Sequence, residues 1–157
     1  MKILITAEHY WPRLCGVQQV VQNLAERLSE RGHKITVVTT FDPQRDGHFS
    51  SGVEIVQFKI YGNLVKGIKG EADSYINYIQ NNDFDLIVNY AAQTWHVDLL
   101  LENLDRIKAK KVLIPCGYSG LKRFPYSLFY AGYFRKLPQY LRKYDHIIYH
   151  SAFYQDK

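Results

Sequence analysis

Apolar and polar positions fall into alternating blocks along this chain. Residues 2–7, KILITA, form a short apolar run, the pattern of a parallel strand buried on both faces. From Val17 the apolar positions switch to helical spacing, with Val17, Val20, Val21, Leu24, Ala25 and Leu28 on one face. Gly32 ends that helix, because glycine accepts the left-handed conformation a helix C-terminus usually needs. Residues 35–39 return as a β-branched strand. The first forty residues thus predict one βαβ unit. Its connecting stretch, EHYWPRLCG, lies at the carboxyl edge of the sheet, where open α/β folds place their ligands.

The alternation continues. A polar loop, FDPQRDGHFSSG, leads into a strand at 53–58, a loop at 62–70 and a helix at 71–81. A strand follows at 86–89, then a helix at 94–107 carrying Val97, Leu100, Leu101, Leu104 and Ile107 on one side. The next strand is 111–114, followed by the loop PCGYSGLKRFP and a helical region from Tyr126 to about Tyr144. Pro138, which donates no backbone hydrogen bond, is expected to break or kink it. Residues 146–149 read as a sixth strand, and Ser151 as the cap of a helix that the chain abandons after Lys157. Strand–helix alternation with short connections predicts an α/β fold, a doubly wound, Rossmann-like parallel sheet in one domain over 1–157. The interrupted last helix suggests a piece of a longer protein.

Composition changes this picture at few points. The chain has 157 residues, enough for a sizeable core, and no apolar run approaches the roughly 18 to 20 residues of a membrane span. The N-terminus enters the first strand without signal-peptide architecture. Cys15 and Cys116 have no metal or redox spacing, so no metal or disulfide framework is expected and the cytoplasm is the default location. Charge is unevenly spread. Residues 106–144 hold ten of the 20 Lys and Arg residues and no Asp or Glu. Phe124, Tyr126, Phe129, Tyr130, Tyr133, Phe134 and Tyr140 are interleaved with them. Three readings fit: an ordinary helix with solvated charges, an anionic membrane surface with a peripheral location, or, least favoured, single-stranded nucleic acid.

The loop before the first helix carries the first chemical signal. A helix N-terminus offers unpaired N–H groups and a partial positive charge, which suit phosphate. Gly16 leaves room for a ligand to approach the backbone. A dinucleotide fingerprint needs three glycines in G-x-G-x-x-G, and this loop has one. A turn closed by Cys15–Gly16 with no ligand role fits the same residues.

The opening forty residues resemble the N-terminal half of retaining, family-4-type glycosyltransferases of the GT-B architecture. The features shared are the apolar first strand, the aromatic, proline and glycine loop, the amphipathic helix, the turn Arg31-Gly32-His33 and the strand residues Val37-Val38-Thr39. The stretches DFDLIVNY and DHIIYHSAFYQDK fit the family's fourth and sixth strands. The resemblance implies an acceptor-side domain that works with a nucleotide-sugar donor, held mainly by a second, C-terminal domain that this chain lacks. The nucleotide sugar is then a substrate, and no cofactor or metal is implied. The acceptor would be a saccharide or a lipid-linked saccharide. Backbone amides at Cys15 and Gly16 would meet the donor diphosphate, with cysteine standing where the family's first glycine usually is. Many members place a histidine after the fifth strand; Cys116 occupies that position, and His96, on the same edge, is the candidate to replace the imidazole. Tyr10, Trp11 and Arg13 are acceptor candidates, as are Gln93 and Thr94 after the strand at 86–89, and Tyr118, Ser119 and Lys122 after the strand at 111–114. Two other classes remain: a non-catalytic acceptor- or membrane-binding subunit, and a stand-alone flavodoxin-like nucleotide or phosphate binder.

Overall fold

The computed structural model describes residues 1–13, 15–45, 49–120 and 124–150. Six strands form the parallel sheet: β1 (Lys2–Thr6), β2 (Lys34–Thr40), β4 (Val53–Phe58), β7 (Leu86–Tyr90), β8 (Lys110–Ile114) and β9 (His146–Ile147). A two-residue strand, β3 (Phe49–Ser50), pairs antiparallel with β4 at the edge. The order is β3-β4-β2-β1-β7-β8-β9. The chain therefore starts in the middle, winds outward to β4, then crosses back to β7 and winds the other way. This is the doubly wound order, and its switch point lies between the carboxyl ends of β1 and β7.

Strand periodicity divides the core into two layers. Ile3 and Ile5 of the first strand and Ala7 just after it, with Ile35, Val37, Val53, Ile55 and Val88, pack under α1 (Gly16–Glu30) through Val21 and Ala25. Leu4, Val38, Ile87 and Leu113 face the other way. They pack against Tyr75 and Ile79 of α2 (Ala72–Asn81), Trp95 of α3 (Trp95–Asp98), and Tyr130, Tyr133 and Leu137 of α4 (Tyr126–Leu141).

Several elements differ from the sequence-based expectation. The stretch 62–70 is not a loop but most of a hairpin, β5 (Ile60–Asn63) and β6 (Gly67–Gly70). Its glycines hide it from pattern reading, yet two are required. A Cβ on Gly62 would lie 2.0 Å from the Gly67 carbonyl oxygen, and one on Gly70 would lie 1.8 Å from that of Lys59; both residues have positive φ. The predicted helix 94–107 is helical only at Trp95–Asp98, followed by turns and a 3-10 segment at Leu104–Arg106. Val97, Leu100, Leu101, Leu104 and Ile107 are nonetheless all buried. Successive i→i−3 hydrogen bonds, such as Leu100 to Val97 and Asn103 to Leu100, keep the same residues inward with a tighter winding. Pro138 does not break α4, which runs without interruption from Tyr126 to Leu141 with the proline in its last turn. The sixth strand is shorter than expected, His146–Ile147. Ser151 and its predicted helix lie outside the described residues.

Candidate active-site edge

The carboxyl ends of β1, β2, β7, β8 and β9 gather the candidate residues into three groups. The first is built by the loop after β1. Here the chain leaves the sheet at Ala7, whose N–H donates to the Val38 carbonyl at 3.0 Å, and re-enters regular structure at Gly16. Between them is an open cleft of about 500 Å³ lined by Glu8, His9, Arg13, Asp42, Gln44 and Tyr61, among others. Arg13 reaches His9 Nδ1 at 3.3 Å and Asp42 at 3.7 Å while its side chain stays largely exposed at the cleft. Acids, arginines, a histidine and amide groups line this cleft, a donor and acceptor mixture suited to hydroxyl-rich ligands.

Tyr10 borders that cleft without exposing its side chain to it. Its ring is fully buried under α1, and its hydroxyl has no hydrogen-bond partner among the described residues. Burial and the nearby Glu26 carboxylate push the phenol up to about 12. Trp11 is half-buried and packs on the same core. What fixes this loop is Arg45, a residue sequence reading passed over as part of a polar loop. Its guanidinium donates to the carbonyls of Trp11, Thr40 (3.1 Å) and Tyr10 (3.2 Å) and to Gln57 Oε1. One buried side chain thereby ties the β1 loop to the ends of β2 and β4. A single arginine in FDPQRDG carries no periodic signal that could have revealed it.

Helix α1 begins beside this loop. Cys15 is its exposed N-cap with extended backbone, no side chain caps it, and no acidic residue occupies its first turn. The first intrahelical bond is Gln19 N–H to the Cys15 carbonyl at 3.0 Å, which leaves the earlier N–H groups to point outward. Gly16 lies outside the left-handed region, and a Cβ there would meet nothing within 4 Å. The glycine is thus not needed by the fold of this chain.

The second group follows β7. Ala91 and Gln93 have φ of 73° and 59°, and Cys116 after β8 has 58°, three non-glycine residues in the left-handed region at adjacent strand ends. Each such conformation costs on the order of 1–3 kcal/mol and persists only where its surroundings dictate it. Ala91 N–H donates to the Ile114 carbonyl, and Ala92 N–H to that of Pro115. The Gln93 amide bonds both backbone groups of Ser119, donating at 3.0 Å and accepting at 2.6 Å. Gln93 and Ser119 are therefore brought together, with the side chain of Gln93 occupied in holding the β8 loop.

His96 is a correction. It was a candidate imidazole for the edge, but its ring is completely buried. The second residue of α3 turns inward toward the sheet, into a polar chain whose proton order is fixed by its ends. Tyr144 Oη donates to Asn89 Oδ1, and Asn89 Nδ2 donates to Thr6 Oγ1 at 2.7 Å. The Thr6 hydroxyl then has its proton for His96 Nδ1 at 2.9 Å; His96 Nε2–H donates to Thr94 Oγ1, also at 2.9 Å, and Thr94 donates to the Ala91 carbonyl. Burial lowers the His96 pKa to about 3, which keeps the ring neutral as this order requires. Thr94 is engaged in that chain rather than projecting freely. Two residues on from His96, Asp98 is also buried, accepting from Leu64 N–H at 2.9 Å and Tyr133 Oη at 3.2 Å. Burial raises its pKa to about 6.

The third group joins β7, β8 and β9. Cys116 Sγ lies 3.5 Å from His150 Nε2, and the same nitrogen lies 3.1 Å from Tyr90 Oη. Burial pushes the Cys116 thiol up, so it is protonated at neutral pH and offers a weak donor rather than a nucleophile. The imidazole beside Cys116 is that of His150, exposed and just beyond the sixth strand. Sequence reading does not single it out, because the family resemblance points to the position after the fifth strand, which is Cys116. Tyr118 packs edge-on against Phe134 and turns its hydroxyl inward, without a partner among the described residues. Lys122 lies outside the described residues. Among the described residues no cluster of His, Cys, Asp and Glu has a metal-binding arrangement.

A search of curated proteins finds no match. Residues 15–156 do match the family model described as Glycosyltransferase Family 4. That span runs from the N-cap of α1 through all the parallel strands after the first, and with the doubly wound sheet it establishes that the chain belongs to glycosyltransferase family 4.

Proposed function

We propose that this chain is the acceptor-binding domain of a retaining glycosyltransferase that takes sugar from a nucleotide-sugar donor and passes it to a saccharide or lipid-linked acceptor. The observation that carries the reading is the uncapped N-terminus of α1 beside the polar cleft, both on the loop that leaves β1 at the carboxyl edge of the sheet. Oriented N–H groups and the helix dipole favour a diphosphate at Gly16. The acceptor lies toward Arg13, Glu8 and Asp42, whose charges can bind and orient hydroxyl groups. Retention of configuration follows if the acceptor hydroxyl attacks from the face the diphosphate leaves and the departing phosphate oxygen takes its proton. No protein nucleophile is then needed, and positioning with electrostatic stabilisation supplies most of the rate.

The test is a screen of the full-length protein against nucleotide sugars, followed by Gly16→Val with the responding donor. A Cβ here meets nothing within 4 Å, and valine is a somewhat better helix residue than glycine, by a few tenths of a kcal/mol. Melting should therefore stay at the wild-type value or rise slightly. Two added methyl groups facing the diphosphate should lower kcat/KM by about a hundredfold, or roughly 3 kcal/mol of transition-state stabilisation. Wild-type turnover in a folded Gly16→Val protein would remove the diphosphate from this loop.

A further inference from the structure

Helix α4 has two unlike faces. Inward it places Tyr130, Tyr133 and Leu137 in the core, with Phe134, Tyr140 and Leu141 packed around them. Outward lie Leu128, Phe129, Ala131, Gly132, Arg135, Lys136, Gln139 and Arg142, all at least partly exposed. At 100° per residue these fall within about 160° of the helix circumference, a continuous stripe roughly 20 Å long from Leu128 to Arg142. Its first turn is apolar: Leu128 is 66% and Phe129 72% exposed, and Phe124 just ahead of the helix is 81% exposed. The remainder is basic. Among the described residues Arg135, Lys136 and Arg142 make no ion pair, whereas Lys143, on the flank, is engaged by Asp105. The stripe contains no acidic residue.

Three large apolar side chains uncovered within six residues are unusual on a water-facing helix, and an adjoining unpaired basic row narrows what covers them. We infer that the outer face of α4, led by Phe124, docks on an anionic bilayer surface. Phe124, Leu128 and Phe129 enter the boundary between headgroups and acyl chains, and Arg135, Lys136 and Arg142 lie against anionic headgroups. Single-stranded nucleic acid fits less well. Two of the helix's tyrosines, Tyr130 and Tyr133, are buried and unavailable for stacking, Leu128 offers no ring, and the surface is a convex helix rather than a groove. No helix among the described residues is long and apolar enough to cross a membrane, so the contact is interfacial. Because α4 follows β8, its first turn starts at the same carboxyl edge as the cleft, which brings that edge to the bilayer. The inference does not depend on the transferase reading.

Vesicle sedimentation of the purified protein tests it, with phosphatidylglycerol–phosphatidylcholine vesicles compared with phosphatidylcholine alone. Binding should require the anionic lipid and weaken steeply as salt shortens the roughly 8 Å screening length of physiological buffer. Arg135→Ser/Lys136→Ser should lower the partition coefficient by about thirtyfold, and Leu128→Ser/Phe129→Ser by at least about tenfold. Gln139→Glu, which removes no contact and adds an acid to the stripe, should weaken binding by about fivefold or more. Wild-type binding by either double variant, indifference to lipid charge, or capture of a single-stranded oligonucleotide in place of vesicles would each overturn the inference.

Discussion

Replacing Asp98 by asparagine should stabilise this protein at neutral pH and expose an opposing pH dependence that the wild type conceals. Asp98 is 2% exposed, makes no ion pair among the described residues, and has a pKa raised from 3.8 to about 6, chiefly by burial. Between those pH values the native state holds a proton that the unfolded chain has released. Stability therefore falls as pH rises through this window, by up to about 3 kcal/mol at 1.36 kcal/mol per pH unit. His96 acts in the opposite sense. Its pKa is lowered from 6.5 to about 3, so between these values the unfolded chain binds the extra proton and stability falls as pH drops. From about pH 4 to 6 the two slopes nearly cancel. The asparagine side chain of Asp98→Asn would mimic the protonated acid, accepting from Leu64 N–H while its amide faces the Tyr133 hydroxyl. At pH 7.5 the variant should gain up to about 3 kcal/mol, or roughly 6–12 °C in melting temperature for a domain of this size. Between pH 4 and 6 its stability should climb by about 3 kcal/mol with pH, where the wild type contributes almost no slope from this pair. Urea unfolding followed by circular dichroism across pH 4 to 8 measures both quantities. A variant less stable than wild type at pH 7.5 with an unchanged pH profile would show that Asp98 is not a buried, unpaired acid.

Arg45→Lys keeps the charge but not the fork that reaches Tyr10, Trp11, Thr40 and Gln57, so it should cost at least about 2 kcal/mol. Amide exchange at Trp11 and Arg13 should accelerate, and unchanged protection there would contradict the positioning role. Gly70→Ala forces a Cβ against the Lys59 carbonyl at positive φ and should destabilise by about 2 kcal/mol or more; an unchanged melting temperature would refute that clash. At the proposed transferase edge, Cys116→Ala should change kcat/KM by less than about tenfold, because a protonated thiol is no nucleophile, while His150→Ala should lower it further, because the exposed imidazole can help position substrate there. The reverse order of effects would assign the chemistry to the thiol.

Local pattern determined the framework of this protein. Strand and helix periods are properties of neighbouring residues, so the runs at 2–7, 35–39, 53–58 and 86–89, and the α1 face from Val17 to Leu28, could be read directly. So could the inward set Val97, Leu100, Leu101, Leu104 and Ile107, since burial depends on spacing even when the winding is 3-10 rather than α. Gly16 could be placed at the start of the first helix, but its lack of close neighbours could not be read, because that is a fact about the space around it. The polar interior was likewise invisible. Thr6 and His96 are 90 residues apart in sequence, Thr6 and Asn89 are 83, and Arg45 meets Tyr10 across 35. No periodicity encodes such pairs. A histidine at a strand edge looks the same in sequence whether it turns toward solvent, as His150 does, or into the core, as His96 does. Only the packing of the sheet against α3 and α4 decides which ring is desolvated and bonded at both nitrogens, and which is left exposed at the edge.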